Sequence, residues 1–598
     1  MKEDTLPKLF LRNRDLYNDR IALRYKVLGI WKPVTWKDYW SHVCFFALGL
    51  KKLGLNAGDK IAILGYNCQE WLYSDLAAQC SSAISVGIYP TSVASQVKYT
   101  LKNSESKFVV AKDQEQVDKI LEVKHELPEL KKIIVIDTKG LKGYREPMII
   151  TFKEVETLGE ALNAEQPQLF ENMIKDTKPE DIATLIYTSG TTGKPKGAMI
   201  SQKNILTMAR NFSKVMEFRS TDSFVSAMPL CHAGERMWSL IFPVFAGCTV
   251  NFAESLATFL EDVRDISPSC FFFVPRYWGK MYSNIMTKID GVGFLKRWIF
   301  NSMLSIGMHV AEFKFKGKTL PIYLKILNGI GYLVLFRSLR NEIGSLQSRL
   351  FLSGAAPMAP DIMKFFHAIG CPVRESYGLT ESCGQAFIPR DGEVKIGSVG
   401  KPIPGIEFKL LEDGEILLRG ESIFVGYYGN PDATKEAIID GWLHTGDLGQ
   451  IDEGGQLHIT GRKKDIIITA AGKNITPSEI ESGIKSSQFI KEAIVVGDGR
   501  KYLTCLIQIN FENVSNWAQK NQIAYTDYKS LATHPEVKKL IQGEIDKANS
   551  SFARVETIKK FTILEKELSL EADEVTATMK VKRFNIQKKY KDIIDAMY

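Results

Sequence analysis

From about Ile61 onward, short β-branched runs alternate with segments of helical periodicity. The runs IAIL (61–64), FVVA (108–111) and KIIVIDT (132–138) are short, continuous and apolar, as strands buried on both faces are. Between them, QEWLYSDLAAQC (69–80) reads as a helix. That rhythm predicts parallel sheets covered by helices, an α/β class. No fixed-period repeat and no low-complexity segment interrupts it.

Two changes of texture divide the chain. Between Gly291 and Gly344, the residues Phe294, Leu295, Trp298, Ile299, Met303 and Ile306 fall at helical spacing, with Lys296, Arg297 and Asn301 on other faces. The basic and aromatic stretch FKFKGK (313–318) follows. This segment (291–344) is either a helical insertion packed on its own domain or a patch that lies on a membrane interface. After Thr460 the string GRKKDIIITAAGKN opens a more charged region with shorter elements. The expectation is a large N-terminal domain of stacked β-sheets and helices over 1–460 and a small mobile α+β domain over 461–598. Gly461 suits a hinge, because glycine absorbs backbone rotation without a Cβ clash.

Length adds that 598 residues exceed a single core. With 45% hydrophobic and 24% charged residues, disorder is excluded as the general state. The formal charge of +8 is small for this size; it points to no nucleic-acid partner and leaves oligomeric state open. Nine cysteines are scattered with neither C-x-x-C pairs nor zinc spacing, which fits the reducing cytoplasm better than secretion. The charged start MKEDTLPKLFLRNRD is no signal peptide. The most apolar run, Ile322 to Phe336, has fifteen residues where a spanning helix needs about 20. The expected location is therefore cytoplasmic, with contact at the inner face of a membrane if the 291–344 patch touches lipid.

The strongest chemical signal is IYTSGTTGKPKG (186–197), directly after a strand-like run. Thr188, Ser189, Gly190, Thr191, Thr192, Gly193 and Lys194 combine hydroxyl donors, backbone N–H groups that glycine leaves accessible, and positive charge, as a polyphosphate cradle requires. A Walker loop would need Ser or Thr after Gly-Lys; here Pro195 follows Lys194.

This string resembles the signature of the adenylate-forming superfamily, which includes acyl-CoA synthetases, luciferases and the adenylation domains of peptide synthetases. Further segments resemble its other motifs, in order. Pro229-Leu-Cys-His232 is similar to the motif whose histidine lies by the substrate carboxylate. In Ser353-Gly-Ala-Ala-Pro357, the residues Gly354, Ala355 and Ala356 resemble the adenine-lining backbone. In Glu375-Ser-Tyr-Gly-Leu-Thr-Glu381, the resemblance implies that Ser376, Tyr377 and Gly378 border the adenine, that Thr380 reaches the α-phosphate and that Glu381 ligates Mg²⁺ beside Thr188. Asp447 matches the ribose-binding carboxylate, Arg462 the nucleotide-contacting arginine by the hinge, and Lys580 the C-terminal lysine that completes adenylation. Two positions depart from the pattern: Gly461 stands where many members carry Asp, and Ile468 where many carry a lysine near the thioester.

The resemblance implies ATP, CoA and Mg²⁺ as cofactors, a carboxylic acid as substrate and Lys580, Glu381, Thr188 and His232 as catalytic groups. No G-x-S-x-G and no Cys/His pairing supplies a covalent nucleophile, so an acyl-adenylate would carry the activation. Tyr89-Pro-Thr91, Val274-Pro-Arg276 and the 291–344 insertion resemble the long-chain acyl-CoA synthetases of the bacterial and bubblegum-type subgroup. A sixteen-carbon tail could gain about 10 kcal/mol in a dry tunnel. Trp238 is the candidate replacement for the tryptophan gate of some members. The expected function is long-chain-fatty-acid:CoA ligation. The alternatives are a fatty acyl-AMP ligase that loads a carrier protein and a catalytically silent lipid-binding adaptor on the same fold.

Overall fold

The structure is a computed structural model that describes residues 3–188, 194–576 and 580–598. Its largest sheet has eight strands. In spatial order they are Gly426–Tyr427, Lys196–Ser201, Ile182–Thr188, Ile84–Ile88, Lys60–Leu64, Ser106–Ala111, Lys132–Val135 and Ile149–Thr151. The last six run parallel. Lys196–Ser201 is antiparallel to its neighbours on both sides. The strands and the helix Gln69–Cys80 expected from the alternating pattern all form. Valines and isoleucines of the central strands are buried on both faces, which is why these runs read as uninterrupted apolar stretches.

Helices cover the sheet closely. Trp36–Lys52 starts with Thr35 and Asp38 in a reciprocal cap, and Phe152–Glu165 starts the same way with Thr151 and Glu154. The two helices cross at glycines: a Cβ on Gly159 would lie 1.7 Å from the Phe45 carbonyl oxygen, and one on Gly49 2.0 Å from that of Val155. Only glycine permits that approach.

A four-stranded sheet (Ser223–Ser226, Thr249–Phe252, Ile21–Val27, Ile30–Thr35) and a parallel three-stranded sheet (Cys270–Phe272, Leu350–Ser353, Arg374–Glu375) pack beside it. A five-stranded antiparallel sheet follows, closed by the hairpin Trp442–Ile451 and Leu457–Arg462. Its ladder pairs Leu448 with Gly461 and Asp447 with Arg462, so the boundary drawn at 460 falls inside a strand. The C-terminal region has its own sheet (Ile490–Val496, Leu503–Ile509, Ile558–Ile563) and its own buried cluster around Ile507 and Ile541. All nine cysteines are free and buried.

The 291–344 segment is helical, as expected, and one reading of it changes. In Phe294–Phe315 the buried residues are Phe300, Gly307, Val310 and Ala311, whereas Phe294, Leu295 and Trp298 are exposed. Periodicity marks an apolar stripe but not what it faces. The apolar run after Pro321 does not end at Phe336: one helical rod continues from Ile322 to Glu342, 21 residues, long and apolar enough to cross a membrane by length and composition.

Candidate active site

Several of the candidate segments begin where strands end: Thr188 closes Ile182–Thr188, Ser353 closes Leu350–Ser353 and Glu375 closes Arg374–Glu375. Thr188 is laddered against Lys196, whose carbonyl its hydroxyl approaches at 3.5 Å. Ser189, Gly190, Thr191, Thr192 and Gly193 lie outside the described residues. Just after them, Lys194 Nζ stands 5.7 Å over the Tyr99 ring, and the Tyr99 hydroxyl donates to the Pro195 carbonyl at 2.8 Å.

The two segments expected to line the adenine are joined through their backbones. The Ser376 N–H donates to the Ser353 carbonyl at 2.9 Å, and a Cβ on Gly354 would stand 3.0 Å from Ser376 Oγ. Ala355 and Ala356 are exposed, and Ala355 holds a left-handed φ of 69°. Gly378 cannot carry a side chain, because its Cβ would meet the Gly384 carbonyl oxygen at 2.5 Å. Thr380 and Glu381 lie on a short 3₁₀ turn. The Tyr427 hydroxyl donates to Glu381 Oε1 at 2.7 Å, and Lys196 Nζ stands 5.1 Å from the Tyr427 ring. Burial and the Glu381 charge both push the Tyr427 hydroxyl pKa up, so it stays a donor.

Tyr377, expected to border the adenine, donates its hydroxyl to Asp447 Oδ2 at 2.8 Å. Arg462 Nε donates to the other carboxylate oxygen at 2.9 Å. Burial opposes the Arg462 charge, but Asp447 outweighs it and raises the guanidinium pKa. Burial and Asp447 raise that of the Tyr377 hydroxyl. Lys580, from the C-terminal region, comes close enough for its charge to act on His232 and to be acted on by Arg462 and Asp447. Partial withdrawal from water and the nearby Arg462 lower its pKa, with Asp447 opposing. Lys580 still presents surface to solvent.

His232 caps the turn Ala233–Arg236, its Nδ1 accepting from the Gly234 N–H at 3.0 Å. Desolvation, then the charge of Lys580, lowers its pKa to about 4, so the ring is neutral near pH 7. Residues outside the motifs hold this segment. Asn67 donates to the Met228 carbonyl at 2.6 Å and accepts from the Leu230 N–H at 3.0 Å. The buried Glu235 carboxylate accepts from the Met228 N–H at 3.0 Å and the Ser226 hydroxyl at 2.7 Å. Neither residue was singled out in the sequence, nor was Tyr427. The Gly-Tyr-Tyr-Gly-Asn string at 426–430 was the available signal for the last.

Of the departures, Gly461 has its side-chain space occupied: a Cβ there would lie 2.5 Å from Thr476 Cγ2. Ile468 is about half exposed, its N–H bonded to Asp498 at 3.0 Å. No cluster of three or more His, Cys, Asp or Glu residues suited to a metal occurs among the described residues. One carboxylate, Glu381, with the Thr188 hydroxyl fits Mg²⁺, which takes one or two protein oxygens and completes its shell with phosphate and water.

A phosphate-loop strand, a carboxylate clamped by tyrosine and arginine, and a lysine brought in from a separate C-terminal unit define a nucleotide-binding enzyme, and the chain belongs to the AMP-binding enzyme family. The family model matches residues 10–428, and that of the AMP-binding enzyme C-terminal domain matches 464–598. The chain is 32% identical over 584 residues to the long-chain-fatty-acid–CoA ligase FadD15 of Mycobacterium bovis, covering 97% of this chain and 94% of the relative. It is also 32% identical to the long-chain-fatty-acid–CoA ligase ACSBG1 of Bos taurus, covering 99% and 85%. Among solved structures, an anthranilate CoA ligase in complex with anthranoyl-AMP shares the fold at a TM-score of 0.73 and 19% identity, covering 99% of this chain and 98% of that one.

Proposed function

We propose that the protein is a long-chain-fatty-acid:CoA ligase that converts ATP, a fatty acid and CoA into acyl-CoA, AMP and pyrophosphate through an acyl-adenylate. The observation that carries this reading is the convergence of Tyr377, Arg462 and Lys580 around the Asp447 carboxylate. Asp447 is an acceptor-only group suited to ribose hydroxyls, and its two partners fix its orientation.

In the first step a carboxylate oxygen attacks the α-phosphorus of ATP, the bond to the bridging oxygen breaks, and pyrophosphate leaves with that electron pair. Two anions must meet, so catalysis is alignment and charge neutralisation. Arg462 and Lys580 supply positive charge, and neutral His232 can border the acid without forming an ion pair that would blunt its attack. Mg²⁺ bound by Glu381 and Thr188 would neutralise phosphate charge. In the second step the CoA thiol, losing its proton, attacks the acyl carbon and AMP leaves. For this, the region beyond Gly461 rotates and withdraws Lys580. The protein works in the cytoplasm, where buried thiols such as Cys231 and Cys383 stay reduced.

The test is isotope exchange between pyrophosphate and ATP with Mg²⁺ and a panel of acids, followed by acyl-CoA formation. Exchange that requires a long-chain acid, and acyl-CoA formed with AMP release, support the reading. Exchange without any CoA thioester, but with acylation of a carrier's pantetheine, would replace CoA as the acceptor. No exchange in folded protein would overturn the adenylate itself.

A further inference from the structure

We infer that the outer face of the helical rod Ile322–Glu342, with the lysine-rich turn that precedes it, is a docking face for an anionic lipid bilayer, on which the rod lies flat. This deepens the long-chain-acid reading by naming where the substrate is collected, and it rests on that reading only for its purpose.

The rod has two unlike sides. Leu324, Gly331, Phe336 and Leu339 are buried against the domain. A Cβ on Gly307, in the helix Phe294–Phe315, would meet the Phe336 ring at 2.9 Å, so that side is fitted closely. The other side carries Ile322, Tyr323, Ile326, Ile330, Leu333 and Val334, all between 46% and 77% exposed. A helix on the surface of a globular protein turns its polar face outward; this one is apolar outward for more than three turns. Such a continuous exposed apolar face marks an interaction site.

Charge selects the occupant. Residues 291–344 contain eight basic and two acidic residues, a net +6 against +8 for the whole chain. Lys314, Lys316 and Lys318 lie in or beside the turn that leads into the rod, and Lys325 is on its first turns; all four are exposed. None of the ion pairs among the described residues involves them. Both acidic residues do lie in the same segment, but Glu342, at the far end of the rod, is already paired with Arg264 and Lys288. An exposed apolar stripe bordered by unneutralised lysines fits a membrane interface: the stripe enters the acyl boundary and the lysines meet anionic headgroups. A second copy would set the same lysines against each other. Lying flat also suits a rod that has one long side fixed to its own domain, whereas crossing would require that side to detach. Free long-chain acids partition into bilayers, so docking there places the enzyme at its substrate's reservoir.

The experiment is flotation of the full-length protein with vesicles of phosphatidylcholine alone and of phosphatidylcholine with about 30% phosphatidylglycerol, without ATP or acid. We expect binding to the anionic vesicles, weakened at least tenfold by the double substitution I326E/L333E and similarly by K316E/K318E, and weakened by salt. Activity of both variants on a soluble eight-carbon acid in vesicle-free buffer should match the parent, which shows that they fold. Equal binding to neutral vesicles, unchanged binding of either variant, or no binding with concentration-dependent dimerisation that I326E/L333E abolishes would each overturn the inference. Because the assay contains no substrate, its failure is separate from failure of pyrophosphate exchange.

Discussion

Asp447 and Arg462 sit opposite each other in the ladder of one hairpin, and Arg462 Nε donates to Asp447 Oδ1 at 2.9 Å. The pairing register thus presets the guanidinium on one side of the carboxylate, while the Tyr377 hydroxyl holds the other from outside that hairpin. Asp447→Asn keeps the shape but exchanges one oxygen for an NH₂ group, which cannot accept. Charge-assisted bonds of this kind contribute about 1.5–3 kcal/mol. Acid-dependent pyrophosphate exchange should lose about 10- to 100-fold in kcat/KM, chiefly through KM for ATP. An unchanged KM for ATP would remove Asp447 from nucleotide binding.

Lys580 should separate the two half-reactions. Lys580→Ala is expected to slow acyl-adenylate formation by about 100- to 1,000-fold, the cost of one preorganised charge donor. Thioester formation from supplied acyl-adenylate should change far less. Desolvation and Arg462 lower the lysine pKa, and only the protonated form neutralises phosphate charge. The kcat/KM for adenylation should therefore fall on the alkaline side earlier than an ordinary lysine would dictate, and Lys580→Arg should move that limb to higher pH. Equal slowing of both half-reactions by the alanine variant would contradict the assignment.

Particular residues show what was legible. The helix Gln69–Cys80 and the strands around it could be read because each is bounded by a change of hydrophobic period. The placement of His232, Asp447 and Lys580 came through motif resemblance, since no local pattern tells a histidine before a turn that a lysine from another unit will approach it. The contact of Tyr427 with Glu381 was invisible for a further reason. It depends on the two-residue strand Gly426–Tyr427 joining the sheet edge beside Lys196–Ser201, a pairing too short to leave a periodic trace. The direction in which Trp298 faces stayed open in the sequence, because helical spacing fixes a face but not what it faces.

Glu375 supplies a pH test of stability. Its carboxyl is buried, accepts only the Met358 N–H at 2.8 Å through Oε1, and leaves Oε2 without a partner. Burial raises its pKa to about 7. The folded state then binds this proton more tightly than the unfolded chain, so the stability contribution is present at low pH and is lost as pH rises from the ordinary glutamate range through about 7. Glu375→Gln retains an acceptor for Met358 and removes the charge. It should be more stable than the parent by about 1–3 kcal/mol at pH 8, with the gap closing below about pH 5. Denaturant unfolding at the two pH values checks this; a pH-independent difference would refute it.

Trp238 tests whether an aromatic ring after His232 acts as a gate or as packing. Its ring stacks on Phe272 at 4.7 Å and 16°, and Phe212, Phe224 and Phe242 surround it at 5.2–6.1 Å from one another or from the indole. It is 2% exposed, and Phe272 lies 3.7 Å from where a Gly354 side chain would begin, so the cluster backs directly onto the segment that carries Gly354. A ring so enclosed behaves as core: Trp238→Ala should cost about 3–5 kcal/mol of stability, read by denaturant unfolding. As packing, it would affect all acids alike. The ratio of kcat/KM between sixteen- and eight-carbon acids should then stay within about threefold of the parent, less than the ~0.8 kcal/mol of one buried methylene. A larger shift confined to the long acid would mean that the indole moves aside for the chain, and that the aromatic cluster is the closed end of the acyl tunnel.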